Sequence, residues 1–219
     1  LTLREDLTNG HRDPAAAAHL WVKMAAAHQR DQDLGPAEKA LKNALNLYPG
    51  CTPALVQLVG LYNQEGKFDQ AMAVLKKYAP QRPALAHTLT DVMVAAFTAA
   101  KDAAGLMALW ESLCADPRSG WLVAAQYAGW LNQRKKGKEA LRILTQAYDR
   151  NPAVIEAAAA LGAQYEQLQN PGGALTIFKS HLAEKAQRVQ LYRCGRCGLS
   201  AKTVFWHCPQ CHAWDSVEP

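Results

Sequence analysis

Four of the six cysteines lie near the end of the chain in two C-x-x-C pairs. The first pair is Cys194 and Cys197, the second is Cys208 and Cys211, and ten residues separate the pairs. Two pairs at this spacing suit one tetrahedral metal ion with four thiolate ligands. Gly198 suits a tight turn whose backbone N–H groups point at sulfur. We therefore predict a metal site at Cys194, Cys197, Cys208 and Cys211, with all coordination positions filled by the protein.

Zinc and iron both accept four thiolates in a tetrahedron, so the ligand type leaves both metals open. The Cys-x-x-Cys-Gly and Cys-Pro-x-Cys pattern resembles rubredoxin, in which iron carries one electron. This segment is shorter than a free-standing rubredoxin and is fused to a longer chain. We expect one zinc ion as a structural clip, with iron as the alternative. A disulfide is disfavoured because nothing in the sequence indicates secretion.

Other residues capable of metal or redox chemistry are assigned no site. His207 and His212 flank the second cysteine pair, but four cysteines already complete a tetrahedron, so we expect the histidines beside the site or exposed. Cys51 and Cys114 lie far away in the chain and are expected to be unpaired thiols. The sequence has no G-x-S-x-G elbow, P-loop, G-x-G-x-x-G or H-E-x-x-H motif. We expect no catalytic residues and no enzymatic activity.

The segment that carries the cysteines is too short to fold by burial alone. About 30 residues cannot bury enough apolar surface to hold one structure. Metal binding, on the order of 10–16 kcal/mol in zinc-finger peptides, would supply the missing stability. Between the pairs, Leu199–Trp206 is predicted to be a short strand.

Upstream of the cysteines the chain is repetitive. Prolines recur after 34, 34 and 35 residues, at Pro49, Pro83, Pro117 and Pro152. This period is typical of helix–turn–helix solenoids. The unit from Ile155 carries Leu161, Gly162 and Tyr165, which resembles the tetratricopeptide repeat (TPR) consensus, whereas the unit near 86–118 matches worst. We predict an all-α TPR superhelix of about five helical hairpins, followed by a small rubredoxin-like zinc ribbon.

The same pattern predicts a domain division. Residues 18–187 form the TPR domain and residues 188–219 the rubredoxin-like metal-binding domain. Because Pro14 lies 35 residues before Pro49, residues 1–17 are interpreted as the remnant of an upstream repeat. The chain starts at Leu1 rather than Met, so we expect that an upstream segment has been removed. No apolar stretch approaches the roughly 20 residues that span a bilayer.

The first helices of TPR hairpins line a concave groove, which we expect to bind a helix or an extended peptide of a protein partner. The aligned positions are rich in amides. They are His19, Val22, Gln29, Arg30, Val56, Asn63, Gln64, His87, Thr90, Thr98, Leu122, Asn132, Gln133, Glu156, Glu166 and Gln167. The carboxylate clamp of chaperone-binding TPR domains needs paired cations here, and Arg30 alone is present, so chaperone C-termini are not expected partners.

Nucleic acid is not predicted as a partner. The net charge of +5 is mild and is not gathered into one block. Three basic residues of the ribbon could form a face with Phe205, Trp206 and Trp214. We expect instead that these aromatic side chains cover the metal site and pack the ribbon onto the last helix. The oligomeric state stays open, with a homo-oligomer possible.

The C-terminal pattern resembles one family in particular. Its residues beside the cysteines are Tyr192, Ala201, Thr203, Trp206, His207, Ala213 and Trp214. Together they resemble the lipopolysaccharide assembly protein B family of Gram-negative bacteria. The match is specific over Tyr192–Pro219, but over residues 1–186 it is generic, because many unrelated scaffolds contain TPR units.

The resemblance implies a membrane-linked adaptor. Members of that family have an N-terminal membrane anchor, TPR units and a rubredoxin-like domain, and they sit on the cytoplasmic face of the inner membrane. They restrain lipopolysaccharide synthesis by promoting destruction of the deacetylase LpxC by the protease FtsH. The four cysteines carry over as metal ligands, and no groove residue carries over. The implied membrane link runs only through a segment missing from this chain, and rubredoxin-type electron transfer or redox sensing remains the alternative.

Overall fold

Ten α-helices and three short strands make up the described part of the chain, which in this computed structural model is residues 13–188 and 192–218. The helices are α1 Pro14–Arg30, α2 Leu34–Leu47, α3 Thr52–Gln64, α4 Phe68–Tyr78, α5 Thr90–Ala99, α6 Ala103–Ala115, α7 Trp121–Gln133, α8 Gly137–Arg150, α9 Ile155–Gln167 and α10 Pro171–Arg188. Successive helices pair as antiparallel hairpins, α1 with α2 through to α9 with α10. The predicted all-α repeat fold is confirmed.

All five hairpins close with the same kind of turn. Each turn contains one residue in the left-handed region, with φ between 57° and 72°: Gln32, Gly66, Lys101, Lys135 and Gln169. The next N–H in the chain bonds to the carbonyl five residues earlier, as Lys136 N–H does to Leu131 O at 3.0 Å. This is the hydrogen bond that ends helices in Schellman motifs. In four of the five turns the residue with positive φ is not glycine, so its backbone is strained where a glycine backbone would not be.

The third hairpin is irregular, as its poor match to the repeat predicted. Two short 3₁₀ helices, Ala79–Gln81 and Pro83–Leu89, precede α5 and replace the beginning of the first helix. Pro80 and Pro83 lack the N–H groups that an α-helix would need after its first turn. The helix α5 is consequently only ten residues long.

Small residues are buried where helices meet, and large residues fill the space between hairpins. Ala37 and Ala71 are fully buried, as are the large side chains of Leu58 and Tyr62. A Cβ added at Gly162 would come within 2.6 Å of the Phe178 ring, so α9 and α10 approach closely there.

The chain divides into two compact units. Residues 1–151 contain α1 to α8, and residues 152–219 contain α9, α10 and the ribbon. The predicted domain division at 17/18 and 187/188 stays a prediction; most of its first segment, residues 1–12, lies outside the described residues. Among the described residues, no helix combines the length and apolarity that crossing a membrane requires.

The ribbon is a small antiparallel sheet in the order β2–β1–β3. Its strands are β1 Tyr192–Cys194, β2 Ser200–Ala201 and β3 Val217–Glu218. Tyr192 pairs with Ala201, and Cys194 pairs with Val217. The predicted strand Leu199–Trp206 is wrong in extent, because only two of its residues pair and the backbone then turns toward the second cysteine pair.

Candidate metal centre and protein-binding groove

The ribbon brings the four predicted cysteines together. Their sulfur atoms all lie within 4.8 Å of one another, with Cys194 Sγ 3.7 Å from Cys211 Sγ and Cys197 Sγ 3.6 Å from Cys208 Sγ. A tetrahedron with zinc–sulfur bonds of about 2.3 Å has sulfur–sulfur edges of about 3.8 Å. A disulfide needs about 2.05 Å. The geometry fits a four-thiolate metal site; metal binding by these residues stays a prediction.

The first cysteine pair sits on a hydrogen-bonded turn. Cys194 N–H donates to Leu199 O, and Gly198 N–H donates to Cys194 O, both at 2.8 Å. Gly198 has a φ of 78°, which a side chain at this position would strain. The glycine predicted to allow this turn therefore does so.

The second pair repeats the same turn without a glycine. Cys208 N–H donates to Ala213 O, and His212 N–H donates to Cys208 O, both at 2.9 Å. His212 takes the position of Gly198, with a φ of 57°. Its ring lies 5.4 Å from that of His207, and both histidines are exposed. Among the described residues, the cluster able to hold a metal contains cysteines alone.

Hydrogen-bond donors lower the pKa of two of the four cysteines. Ser216 Oγ lies 3.2 Å from Cys194 Sγ. The Ser216 hydroxyl, with the Cys197 N–H, lowers the pKa of Cys194 to about 6. The Cys211 N–H likewise lowers the pKa of Cys208. Because thiolates are the metal-binding form, these donors favour ligation. Nothing in the cysteine spacing identified Ser216, which approaches only because β3 returns alongside β1.

The cluster also contains electrostatic conflict. The Leu199 N–H lowers the pKa of Cys197, but burial and the neighbouring sulfurs of Cys211, Cys208 and Cys194 outweigh it, and that pKa rises to about 12. Four thiolates this close repel one another unless a cation lies between them. A metal cation with four thiolate ligands would remove the conflict, so the residues present fit such an ion.

The expectation that three aromatic side chains pack the ribbon onto the last helix is wrong for two of them. Phe205 is half-buried, but Trp206 is 65% exposed and Trp214 is 72% exposed. Trp214 contacts the exposed His207, with ring centroids 4.5 Å apart. These tryptophans therefore lie on the surface of the ribbon.

The other two cysteines lie in the hairpins. Cys51 and Cys114 are both buried and unpaired. Burial raises the pKa of Cys114 to about 12 and also raises that of Cys51. Both thiols therefore stay protonated at neutral pH, which agrees with their expected lack of chemistry.

A groove runs between the first helices of the third and fourth hairpins. It has a volume of about 410 Å³ and is lined by Thr90, Asp91, Val94, Ala95, Gln126, Gly129, Trp130 and Gln133. We call it the α5–α7 groove. Thr90 and Gln133 were predicted to line a binding surface, whereas Asn63 instead donates from Nδ2 to Val92 O at 3.0 Å. A Cβ at Gly129 would meet no atom within 4 Å, so the groove is open there.

Comparison with known families identifies both parts of the chain. Residues 192–219 match the rubredoxin metal-binding domain of the zinc ribbon type found in lipopolysaccharide assembly protein B. Residues 28–90 match the tetratricopeptide repeat. The ribbon match covers both cysteine pairs, and the repeat match spans α2, α3 and α4.

Individual relatives agree with these assignments. Lipopolysaccharide assembly protein B of Escherichia coli K12 is 20% identical over 92% of this chain and 52% of its own length. The Haemophilus influenzae protein of the same name is 23% identical over 82% of this chain and 46% of its own. This chain thus spans about half the length of these relatives. A crystal structure of MamA covers 78% of this chain and 93% of that chain, at 16% identity and a TM-score of 0.43. The predicted resemblance to the lipopolysaccharide assembly protein B family is confirmed, since the chain joins TPR hairpins to that family's metal-binding ribbon and is similar to its members over most of its length.

Proposed function

We propose that this chain is a non-enzymatic adaptor that binds protein partners through its hairpins and carries the ribbon as a closed structural metal site. The observation that carries the proposal is the contrast between the two sites. The four cysteine sulfurs would occupy every position of a tetrahedral ion, which leaves no position for water or substrate. The α5–α7 groove is open and mixes amide, hydroxyl and apolar surface.

The metal in the proposal is one zinc ion held by Cys194, Cys197, Cys208 and Cys211. When bound, it would supply a fixed positive charge and four strong bonds to sulfur, which would hold the turns of the two cysteine pairs together. The chain's own residues orient the ligands. The Ser216 hydroxyl and backbone N–H groups of the two cysteine turns donate hydrogen bonds to sulfur and keep the thiolates in place.

The family resemblance supports specific partners. The relatives are named for lipopolysaccharide assembly. By that resemblance the chain would bring the deacetylase LpxC to the protease FtsH and so regulate lipopolysaccharide biosynthesis at the cytoplasmic face of the inner membrane. Because the chain spans about half of its relatives, a partner can need residues outside it.

The test combines binding and degradation. Purified chain is mixed with LpxC, and the dissociation constant is measured by biolayer interferometry. LpxC degradation by FtsH in detergent micelles is then timed with and without the chain. We expect saturable binding and faster degradation. Gly129→Gln should weaken LpxC binding at least tenfold by filling the groove, while its helix tolerates the added side chain.

Gly35→Gln is the matched control. Gly35 also lies in a helix with no atom within 4 Å of an added Cβ, but it is outside the α5–α7 groove. It should leave the dissociation constant within about twofold, which corresponds to well under 1 kcal/mol. Equal loss in both variants would reject the α5–α7 groove as the binding site, and no LpxC binding by the unchanged chain would reject LpxC as its partner.

Electron transfer is the second candidate, and the sulfur geometry is the observation that favours it. Iron accepts the same tetrahedron of four thiolates, and the matching domain is described as rubredoxin metal-binding. In that case the ribbon would exchange one electron with a partner held by the hairpins. A reversible redox couple in the purified protein would support this candidate over a structural clip.

A further inference from the structure

A small pocket lies beyond one end of the α5–α7 groove, where the turn of the third hairpin meets the end of α7. Its volume is about 120 Å³. Its buried lining residues are Phe97, Leu106 and Trp130, none more than 5% exposed. Its exposed lining residues include Lys101 and Arg134. We call it the Lys101 pocket. Trp130 lines both this pocket and the α5–α7 groove, which are therefore adjacent.

The guanidinium of Arg134 is held by Trp130. It lies 3.8 Å from the centroid of the indole ring, and Nη1 faces Trp130 O at 3.5 Å. A guanidinium stacked on an aromatic ring keeps its N–H groups at its edges, where a planar carboxylate can accept two of them. Arg134 is thus positioned for an anion before any ligand arrives.

Lys101 supplies a second cation from a fixed backbone. Its φ is 58°, and its N–H donates to Thr98 O at 3.0 Å, which holds the turn in place. None of the residues that line the pocket is acidic. The adjacent Asp102 caps α6 instead, accepting the Gly105 N–H at 2.7 Å. Two cationic residues, Lys101 and Arg134, therefore line one apolar pocket that has no acidic residue in its lining.

Pocket size and charge together indicate the ligand. A cavity of about 150 Å³ holds a benzene molecule, so 120 Å³ suits one branched aliphatic side chain. An internal Asp or Glu offers a carboxylate but no apolar group on the same residue. A C-terminal aliphatic residue carries both on a single Cα.

We propose that the Lys101 pocket binds the C-terminal residue of a partner protein, with an aliphatic side chain against Phe97, Leu106 and Trp130 and the free carboxylate between Lys101 and Arg134. The inference rests on the proposed protein-binding function and gives that function a ligand class. The preceding residues of the partner would continue into the α5–α7 groove, past Gly129.

The test measures binding of defined peptides to the whole chain by fluorescence anisotropy. The probe is a fluorescein-labelled hexapeptide, Gly-Ser-Gly-Ser-Ala-Leu, with a free C-terminal carboxylate. Comparison peptides are the same sequence with a C-terminal amide and the free acid ending in glycine. We expect the leucine acid to bind at least tenfold more tightly than either, because it alone provides both groups.

Two variants and a matched control locate the site. Lys101→Asn removes the charge with a residue that tolerates a positive φ, and Arg134→Gln removes the stacked cation. Each should weaken leucine-acid binding at least fivefold. Lys135→Asn makes the same change at the equivalent turn of the next hairpin, outside the pocket lining, and should alter binding less than twofold.

Each negative result has a defined meaning. Equal binding of acid and amide, no measurable binding of the leucine acid, or equal effects of Lys101→Asn and Lys135→Asn would overturn the pocket assignment. If LpxC still binds and Gly129→Gln abolishes that binding, the adaptor proposal survives without the pocket. If the peptide results hold while LpxC does not bind, the pocket stands and the proposed partner is wrong.

Discussion

Residues 13–151 bury whole aromatic and aliphatic side chains, whereas the ribbon at 192–218 buries little besides two of its cysteines. In the hairpins, Trp110 and Tyr127 are at most 1% exposed and stack with ring centroids 5.7 Å apart. In the described ribbon, the buried residues are Cys194, Cys208 and Ala213. The two regions share a chain but are stabilised by different physical means.

The difference shows what each region depends on. A hairpin that buries large side chains gains stability from every neighbour with which it packs. A ribbon with two exposed tryptophans gains little in this way, and its order centres on four sulfur atoms. We infer that metal loss leaves the hairpins at 13–151 folded and that core mutations in those hairpins leave the metal site intact.

Metal removal should have the largest effect. Cys208→Ser removes one of four thiolate ligands and therefore a substantial part of the binding free energy, which for a complete structural zinc site is on the order of 10–16 kcal/mol. The ribbon should then become cleavable by trypsin after Arg193, Arg196 and Lys202, as read by mass spectrometry. The helical circular dichroism signal should stay close to that of the chain without the substitution. Cys114→Ser is the control: it should keep the metal and destabilise the hairpins.

A core truncation should reverse this pattern. Leu58→Ala deletes a side chain that is 1% exposed and should lower the unfolding free energy by about 2–5 kcal/mol. Urea unfolding followed at 222 nm measures the loss, and metal content should not change. Leu122→Ala, at a residue that is 38% exposed, should cost at most about 0.5 kcal/mol. Metal release by Leu58→Ala would show that the two regions are coupled.

Ser216→Ala tests the finer structure of the ribbon. Loss of the hydroxyl 3.2 Å from Cys194 Sγ should reduce metal affinity about 10- to 100-fold, as removal of such supporting hydrogen bonds does elsewhere. Competition with a chromophoric chelator measures the affinity. Ser200→Ala is the matched control, because the Ser200 hydroxyl donates to Gly198 O at 3.4 Å and not to sulfur. Equal metal affinities of the two variants would show that the Ser216 hydroxyl does not support metal binding.

The turns of the hairpins should show the smallest effects. Lys135→Gly relieves a positive φ of 59° and should raise the unfolding free energy by up to about 1 kcal/mol. Gly66→Ala introduces the same strain at the second hairpin and should lower the unfolding free energy by about 1 kcal/mol. Thermal unfolding compares the two shifts. Shifts of the same sign would contradict the shared turn geometry.

Periodic signals were readable in the sequence. The proline spacing and the Leu161, Gly162 and Tyr165 set predicted the hairpins, because both follow from packing that repeats in every unit. The two C-x-x-C pairs predicted the sulfur cluster for a similar reason, since the turn that presents each pair is local. The irregular third hairpin was signalled by the poor match of its unit to the repeat.

Features that depend on contacts made only once in the fold could not be predicted from the sequence. The positive φ of Lys101 and Lys135 is imposed by the hairpin geometry, and lysine has no preference for it. Ser216 reaches Cys194 only through pairing of β3 with β1. Trp206 and Trp214 were expected to cover the metal site and pack the ribbon onto the last helix, but both are mostly exposed, because a ribbon this small has no interior to receive them.

Elemental analysis and a visible spectrum, on protein purified without added metal, distinguish a structural zinc clip from an iron centre. We expect about one zinc per chain, no colour and loss of the metal in Cys208→Ser. About one iron per chain with thiolate charge-transfer bands and a reversible redox titration would contradict the structural clip, and would assign the ribbon to electron transfer.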